Sequence, residues 1–196
     1  IALEFGDTEL TFNDLHVRSN QMACVLDSKG LEAGDRLALY LENSLEFVDI
    51  YLACLKLGII IVPVNILYKE REITHIMNDA TPKAIISFNE IEGIATWSAK
   101  ELANQARNQS QKTVKCKATG DSPAAIIYTS GTTGTSKGAV LSHNNFIANA
   151  INLNTCWKIT EADRLLIGLP LFHVHGLANG MHCAFIAGAT MRLLTR

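Results

Sequence analysis

Residues 43–64 read NSLEFVDIYLACLKLGIIIVPV, and this stretch decides the fold. Its first part places leucine and valine at helical spacing, which predicts a helix with one apolar stripe (Leu45, Val48, Leu52 and Leu55). Asn43 or Ser44 caps this helix, and Gly58 ends it. Residues 59–64 are β-branched and apolar on both faces, which is typical of a central parallel strand. A helix that leads directly into such a strand indicates an α/β domain.

The same alternation continues in both directions from this stretch. Upstream, Thr11 and Asp14 form a capping box that begins a helix ending near Gly30. The apolar patterns predict further strands over 9–11, 36–41, 83–88, 124–128, 138–141, 165–169 and 189–194, and further helices over 70–80, 144–157 and 175–187. Residues 89–121 are polar and predict a mobile surface connection with one short helix over 100–107. The predicted fold is a layered α/β sandwich with mostly parallel sheets flanked by helices.

The segment 128–138 reads YTSGTTGTSKG and lies between two predicted strands. Its glycines let a ligand approach the main chain, and a row of backbone N–H groups forms a concavity that binds anions. The hydroxyl side chains add donors, and Lys137 adds a positive charge suited to phosphate. The segment therefore predicts a polyphosphate-binding loop, and its candidate ligands are Thr129, Ser130, Gly131, Thr132, Thr133, Gly134, Ser136 and Lys137.

Two familiar phosphate-binding motifs do not describe this loop. A Walker A loop has lysine directly after its second glycine, whereas Thr135 and Ser136 separate Gly134 from Lys137. The dinucleotide pattern G-x-G-x-x-G is absent as well. A flexible Gly/Ser/Thr linker is the plain alternative, and it is disfavoured because apolar β runs flank the segment on both sides.

The string YTSGTTGTSKGAVLSHNN (128–145) closely resembles the phosphate-binding signature of the adenylate-forming superfamily. This superfamily includes acyl-CoA synthetases, luciferases and the adenylation domains of peptide synthetases. The resemblance covers nearly the whole chain, because residues 43–83 are similar to the early pattern of acyl-CoA synthetases. One departure is Ile66, where many relatives have proline, and it affects a local turn.

Residues 169–177, LPLFHVHGL, give a third match to this superfamily. In the family, the aromatic–histidine step of the motif lies beside the acyl pocket and the ATP site. The resemblance therefore implies that His173 has an acyl-pocket or gating role, with His175 and Gly176 nearby at the start of the following helix. Similar stretches occur in synthetases for malonate and oxalate and in fatty-acid relatives, so both kinds of acid stay open.

The resemblance implies an ATP-dependent acyl-CoA synthetase, a ligase of fatty acid metabolism or a related pathway. Such enzymes join a carboxylic acid to the α-phosphate of ATP, release pyrophosphate, and transfer the acyl group to CoA. The loop would hold the β- and γ-phosphates, with ATP and Mg²⁺ as cofactors and CoA as co-substrate. Two alternatives remain: an acyl-AMP ligase that feeds a carrier protein, and a non-catalytic, truncated nucleotide-binding module.

Residues 1–196 are expected to form a partial N-terminal AMP-binding domain. The sequence lacks the Tyr-Gly-x-Thr-Glu segment that supplies the magnesium-linked glutamate in the family, the Thr-Gly-Asp that holds the ribose, and the small C-terminal domain with its catalytic lysine. We therefore assign no catalytic residue and expect the chain alone to be inactive. Strands cut from their partners would expose apolar edges, which favours oligomers.

Composition excludes several other functions. The 17 basic and 19 acidic residues are scattered, which argues against nucleic acid as a partner. No apolar stretch is long enough to span a bilayer, and the five dispersed cysteines indicate free thiols in the cytoplasm. His173, His175 and His182 have no nearby cysteine or carboxylate to complete a zinc site, so no metal site is predicted. His16 and His75 are interpreted as ordinary residues of helix surfaces.

Overall fold

The computed structural model describes residues 1–91, 96–129 and 136–195. The strands are β1 (Leu3–Phe5), β2 (Thr8–Leu10), β3 (Arg36–Tyr40), β4 (Ile60–Pro63), β5 (Ala84–Ser87), β6 (Thr96–Ser98), β7 (Pro123–Thr129), β8 (Lys137–Ser142), β9 (Arg164–Ile167) and β10 (Thr190–Leu193). The α-helices are α1 (Phe12–Ser28), α2 (Leu45–Leu57), α3 (Glu70–Ala80), α4 (Ala99–Ala106), α5 (His143–Trp157) and α6 (Cys183–Ala187). A π-helix over His175–His182 leads directly into α6.

The strands form two sheets, and most of their pairings are parallel. The larger sheet has the order β6-β5-β3-β4-β7-β8, and the smaller has the order β2-β1-β10-β9. Only the outer pairs β1–β2 and β7–β8 are antiparallel among the described strands. The predicted class, an α/β sandwich with mostly parallel sheets flanked by helices, is therefore confirmed.

The local signals in the sequence account for the helices that cover the sheets. Thr11 and Asp14 form the predicted capping box at the start of α1. Ser44, rather than Asn43, caps α2 by accepting a hydrogen bond from the Phe47 amide, and Gly58 ends that helix with φ of 72°. The other helices bury their apolar faces in one main core that draws on both sheets, whereas α3 packs in a second cluster against the larger sheet.

Three parts of the chain differ from the sequence-based prediction. Residues 96–98 form β6, so this part of the predicted connection is an ordered strand of the larger sheet, whereas the predicted short helix over 100–107 is confirmed as α4. The predicted helix over 175–187 is a π-helix followed by one short α-helix. β1 was missed because its three residues are too few for a periodic pattern, and pairing with β10 stabilises it.

The surface and the thiols agree with the plainer expectations. All five cysteines are free, and Cys54 and Cys183 are buried while Cys116 and Cys156 are exposed. Across the ranges that the structure describes, no helix has both the length and the apolar character needed to cross a membrane.

Candidate functional site

The predicted phosphate loop joins β7 to β8, and its base is a regular antiparallel hairpin. Thr129 pairs directly with Lys137, so the hairpin holds these two candidate ligands side by side. Both are exposed, and Ser136 precedes Lys137 as a half-buried residue. The other candidates fall outside the described residues: Ser130, Gly131, Thr132, Thr133 and Gly134. The structure thus positions the two ends of the loop.

Neighbouring side chains leave no room for a side chain at Gly138, at the base of this hairpin. A Cβ atom there would lie 2.6 Å from Cγ2 of Ile126 and 3.2 Å from Cζ of Tyr128. Because contacts under 3 Å force neighbouring atoms to move, any larger residue would displace the Ile126 side chain and crowd the Tyr128 ring. Glycine here lets the Tyr128 ring pack over the opposite strand. The sequence predicts that the loop glycines admit a ligand, whereas Gly138 makes room for the neighbouring side chains of Ile126 and Tyr128.

A cavity of about 260 Å³ opens beside the loop, at the carboxyl ends of β4 and β7. Ligands of parallel α/β sheets bind at this end of the strands. The lining combines apolar and hydrogen-bonding groups: Pro63, Asn65, Tyr68, Ile127, Tyr128, Thr129, Phe172, His173 and Val174. We call this the strand-end cavity. It brings the first residue of the predicted phosphate site together with the predicted acyl-site histidine.

The structure separates the three candidate acyl-site residues. His173 lines the strand-end cavity, is exposed, and has its ring centroid 4.8 Å from that of the buried Phe172. His175 is exposed at the first position of the π-helix and does not line the cavity. Gly176 is buried, and a Cβ there would lie 2.2 Å from the carbonyl oxygen of Pro170. Gly176 therefore lets the π-helix begin close against the preceding turn.

Asn43 positions this segment, a role that the sequence analysis missed. Its buried side chain donates to the carbonyl oxygens of Leu169 (3.1 Å) and Leu194 (3.0 Å) and accepts from the amide of Leu171 (2.8 Å). These bonds fix the backbone just before His173. The signal in the sequence was ambiguous, because an asparagine before a serine reads as an alternative helix cap.

A second cavity, of about 240 Å³, lies between α2, α5 and α6, and we call it the interior cavity. His182 lines it, is hydrogen-bonded to the Tyr51 hydroxyl at 2.7 Å, and stacks on Phe146 at 4.7 Å between centroids. Burial lowers the pKa of His182 to about 4, with a smaller contribution from His143. The Nε2 atom of His143 is buried without a hydrogen-bond partner. Since the other lining residues besides Tyr51 are apolar, this cavity holds neutral histidines.

The described residues contain no group of three or more histidine, cysteine, aspartate or glutamate side chains that could bind a metal ion. The chemistry that these residues can perform is anion binding by the hairpin and hydrogen bonding by His173, Asn65 and Tyr68.

The strand order, the hairpin and the strand-end cavity together define an α/β protein with a candidate ligand site at the carboxyl ends of β4 and β7. The family model described as AMP-binding enzyme matches residues 1–196, and the chain belongs to this family. The chain is 32% identical to the long-chain-fatty-acid–CoA ligase FadD13 of Mycobacterium tuberculosis, over 94% of this chain and 40% of that protein. It is 33% identical to the fatty acid–[acyl-carrier-protein] ligase ScoC of Streptomyces coeruleorubidus, over 86% of this chain and 36% of that protein. It is 34% identical to the malonate–CoA ligase of Arabidopsis thaliana, over 83% of this chain and 30% of that protein.

Solved structures agree with this membership. The ATP-bound structure of MatB from Rhodopseudomonas palustris superimposes with a TM-score of 0.88 at 32% identity, covering 97% of this chain and 41% of that one. The o-succinylbenzoate CoA synthetase MenE of Bacillus subtilis, in complex with its acyl-adenylate intermediate, superimposes with a TM-score of 0.91 at 31% identity. The match covers 100% of this chain and 52% of that one. The chain spans about 40% of the length of the first of these curated relatives.

Proposed function

We propose that the protein carrying this chain is an ATP-dependent acyl-CoA synthetase that activates a carboxylic acid as an acyl-adenylate and transfers it to CoA. Residues 1–196 are its partial N-terminal AMP-binding domain. The observation that carries the proposal is the strand-end cavity, where Thr129 at the base of the phosphate loop and His173 line the same space. Relatives named as CoA ligases and a neighbour solved with bound ATP support it.

Charge is the physical problem that such a site solves. A carboxylate must approach a triphosphate, and negative charge accumulates on the departing pyrophosphate. Lys137 and the loop hydroxyls would offset this charge, and a fixed hairpin supplies donors that need little reorganisation. ATP and Mg²⁺ are the proposed cofactors, and Mg²⁺ when bound would neutralise phosphate charge.

The strand-end cavity favours a short, polar acid of the malonate or oxalate type over a long-chain fatty acid. Its volume of about 260 Å³ is modest, and Asn65 and Tyr68 add polar groups to its lining. Phe172 and Val174 supply the apolar contacts for the carbon skeleton. The similarity to a malonate–CoA ligase supports this choice, and that to a fatty-acid–CoA ligase supports the alternative.

Transfer to a carrier protein is the second candidate function. One relative is named as a fatty acid–[acyl-carrier-protein] ligase and matches this chain as well as the CoA ligases do. The acyl-adenylate step would be the same, and the acceptor thiol would differ. The five free thiols favour a reducing compartment such as the cytoplasm for either enzyme.

The 196-residue chain by itself is proposed to lack turnover, either as a part of the enzyme or as a non-catalytic nucleotide-binding module. The measurement is ATP–pyrophosphate exchange by the isolated chain with each candidate acid. No exchange is expected, and robust acid-dependent exchange would contradict this part of the proposal.

Mass spectrometry of reaction products tests the function directly. The full-length protein is incubated with ATP, Mg²⁺ and a panel of acids (malonate, oxalate, octanoate and palmitate), with CoA or with an acyl carrier protein as acceptor. Malonyl-CoA or oxalyl-CoA is the expected product. Acyl-carrier product alone would move the assignment to the second candidate, and a palmitate preference would overturn the short-acid choice. Absence of any acyl-adenylate with every acid would overturn the proposal.

A further inference from the structure

We infer that His75 of α3 is a positioning residue for the phosphate loop, acting with Asp79 and Tyr128 to brace both ends of the hairpin. The inference rests on the proposed function, because it concerns the loop that would bind the triphosphate. The sequence analysis interpreted His75 as an ordinary residue of a helix surface. The structure contradicts that interpretation, because His75 is half-buried and bonded to the hairpin.

The first contact reaches the end of the loop that enters β8. Nε2 of His75 lies 2.9 Å from the carbonyl oxygen of Ser136. A carbonyl oxygen can only accept, so this nitrogen carries the hydrogen and donates it. Ser136 immediately precedes Lys137. The bond therefore restrains the backbone that presents the one lysine of the loop.

The second contact reaches the end that leaves β7. The Tyr128 hydroxyl donates to Oδ2 of Asp79 at 2.5 Å, and the Tyr128 ring meets the His75 ring edge-on, with centroids 6.0 Å apart at 84°. Burial, with the hydrogen bond to Asp79, raises the pKa of Tyr128, so the hydroxyl stays protonated as a donor. His75 and Asp79 are spaced i, i+4 and so lie on one helix face.

The brace is anchored in the sheet. Ile73, Ile76 and Ala80 of α3 are buried in a cluster with side chains of β3, β4 and β5, and Tyr128 packs against the same cluster. α3 therefore cannot shift without moving this core. On the other side, Tyr128 presses against Gly138, where a Cβ would lie 3.2 Å from its Cζ. The two ends of the loop are thus held between α3 and the opposite strand.

Such a brace matters because it fixes the backbone that presents Thr129 and Lys137. Groups that are positioned before ATP arrives reduce the entropy cost of binding and stay aimed at the developing charge. Loss of the brace should raise KM for ATP and lower kcat. KM for the acid should not change, since His75 does not line the strand-end cavity where the acid is proposed to bind.

The test uses the full-length enzyme and measures KM for ATP, KM for the acid, kcat and Tm. His75→Ala is expected to raise KM for ATP about tenfold and to lower kcat, because a hydrogen bond and a ring contact of the brace are both lost. KM for the acid and Tm should stay near the wild-type values. His75→Gln retains an N–H donor of similar reach and should recover most of the affinity for ATP.

Two further variants keep the inference testable if His75→Ala fails to fold. Asp79→Ala removes an exposed side chain and should raise KM for ATP about threefold, as expected for one exposed hydrogen bond. Asn78→Ala, at the neighbouring exposed position, is the matched control and should change nothing. An unchanged KM for ATP in both His75→Ala and Asp79→Ala, or a rise no larger than that of the control, overturns the inference. If His75→Ala does not fold, an unchanged KM for ATP in Asp79→Ala alone overturns it. A wild-type enzyme that forms no acyl-adenylate overturns the proposed function instead.

Discussion

The strand-end cavity and the interior cavity use histidine in opposite ways. In the strand-end cavity, His173 is exposed beside Thr129 and lies where a ligand can reach it. In the interior cavity, His182 is enclosed by Tyr51 and Phe146, and burial lowers its pKa to about 4. The π-helix begins just after His173 and ends at His182. Surroundings, rather than residue type, therefore distinguish a candidate ligand contact from a structural partner.

Among these variants, Lys137→Ala in the hairpin beside the strand-end cavity should reduce activity most. Loss of the charge at the hairpin base is expected to lower kcat/KM for ATP about 100-fold in the full-length enzyme, as for other groups that stabilise transition-state charge. Tm should stay within about 2 °C, because Lys137 is exposed. Lys117→Ala, which removes an exposed ion pair with Asp27, is the control. Equal losses in both variants would mean that the position of the lysine is irrelevant.

Asn43→Ala should affect both stability and the site. Three hydrogen bonds in a buried position are lost, so the free energy of unfolding should fall by about 2–3 kcal/mol. KM for the acid should also rise, because the segment before His173 loses its anchor. Urea unfolding and steady-state kinetics on the same preparation give both numbers. A destabilised variant with an unchanged KM for the acid would show that Asn43 does not position the site.

His182→Gln should alter how stability depends on pH. The folded-state pKa of about 4 lies below the ordinary 6.5, so the folded protein binds fewer protons than the unfolded chain between these values. The buried neutral His182 therefore stabilises the folded protein fully above about pH 6.5. This contribution to the free energy of unfolding, about 1–3 kcal/mol, is lost as the pH falls toward 4. Unfolding by urea at pH 4.5 and pH 7.5 should show a smaller difference in the variant. The same slope in His182→Gln and wild type would contradict the buried state, and His16→Gln is the exposed control.

His173→Ala should give the smallest change, confined to the acid. KM for the acid is expected to rise about tenfold, as for the loss of one well-placed hydrogen bond, with Tm unchanged because the side chain is exposed. His175→Ala is the matched variant, since His175 is equally exposed and does not line the cavity. A larger effect from His175 would reverse the roles of the two residues.

Local patterns predicted most of the fold, because caps and periodic apolar faces act over a few residues. The capping box of α1 and the β-branched run that forms β4 are examples. Features that depend on distant partners were missed or misread. β6 is only three residues long and is stabilised by β5, and Asn43 acts on residues more than one hundred positions away. His75 likewise gains its role from a hairpin that the sequence places far from α3.

In the candidate site, too, local motifs were predictable from the sequence, whereas contacts between distant residues were not. The loop and the histidine motif were identified by resemblance, and the structure brings Thr129 and His173 to one cavity. It leaves His175 outside that cavity and gives Gly176 a packing role against Pro170. Spacing in a sequence shows which residues are near each other along the chain, whereas the start of the π-helix decides which of them point into the cavity.

Acid-dependent ATP–pyrophosphate exchange by the full-length protein tests most directly whether chemistry occurs at the hairpin of Thr129 and Lys137, beside the strand-end cavity. Exchange is measured at pH 8 for the wild type, Lys137→Ala and His182→Gln. The account predicts exchange that requires a carboxylic acid, is nearly abolished in Lys137→Ala, and is retained in His182→Gln. Exchange that survives in Lys137→Ala and is lost in the folded His182→Gln variant would contradict it.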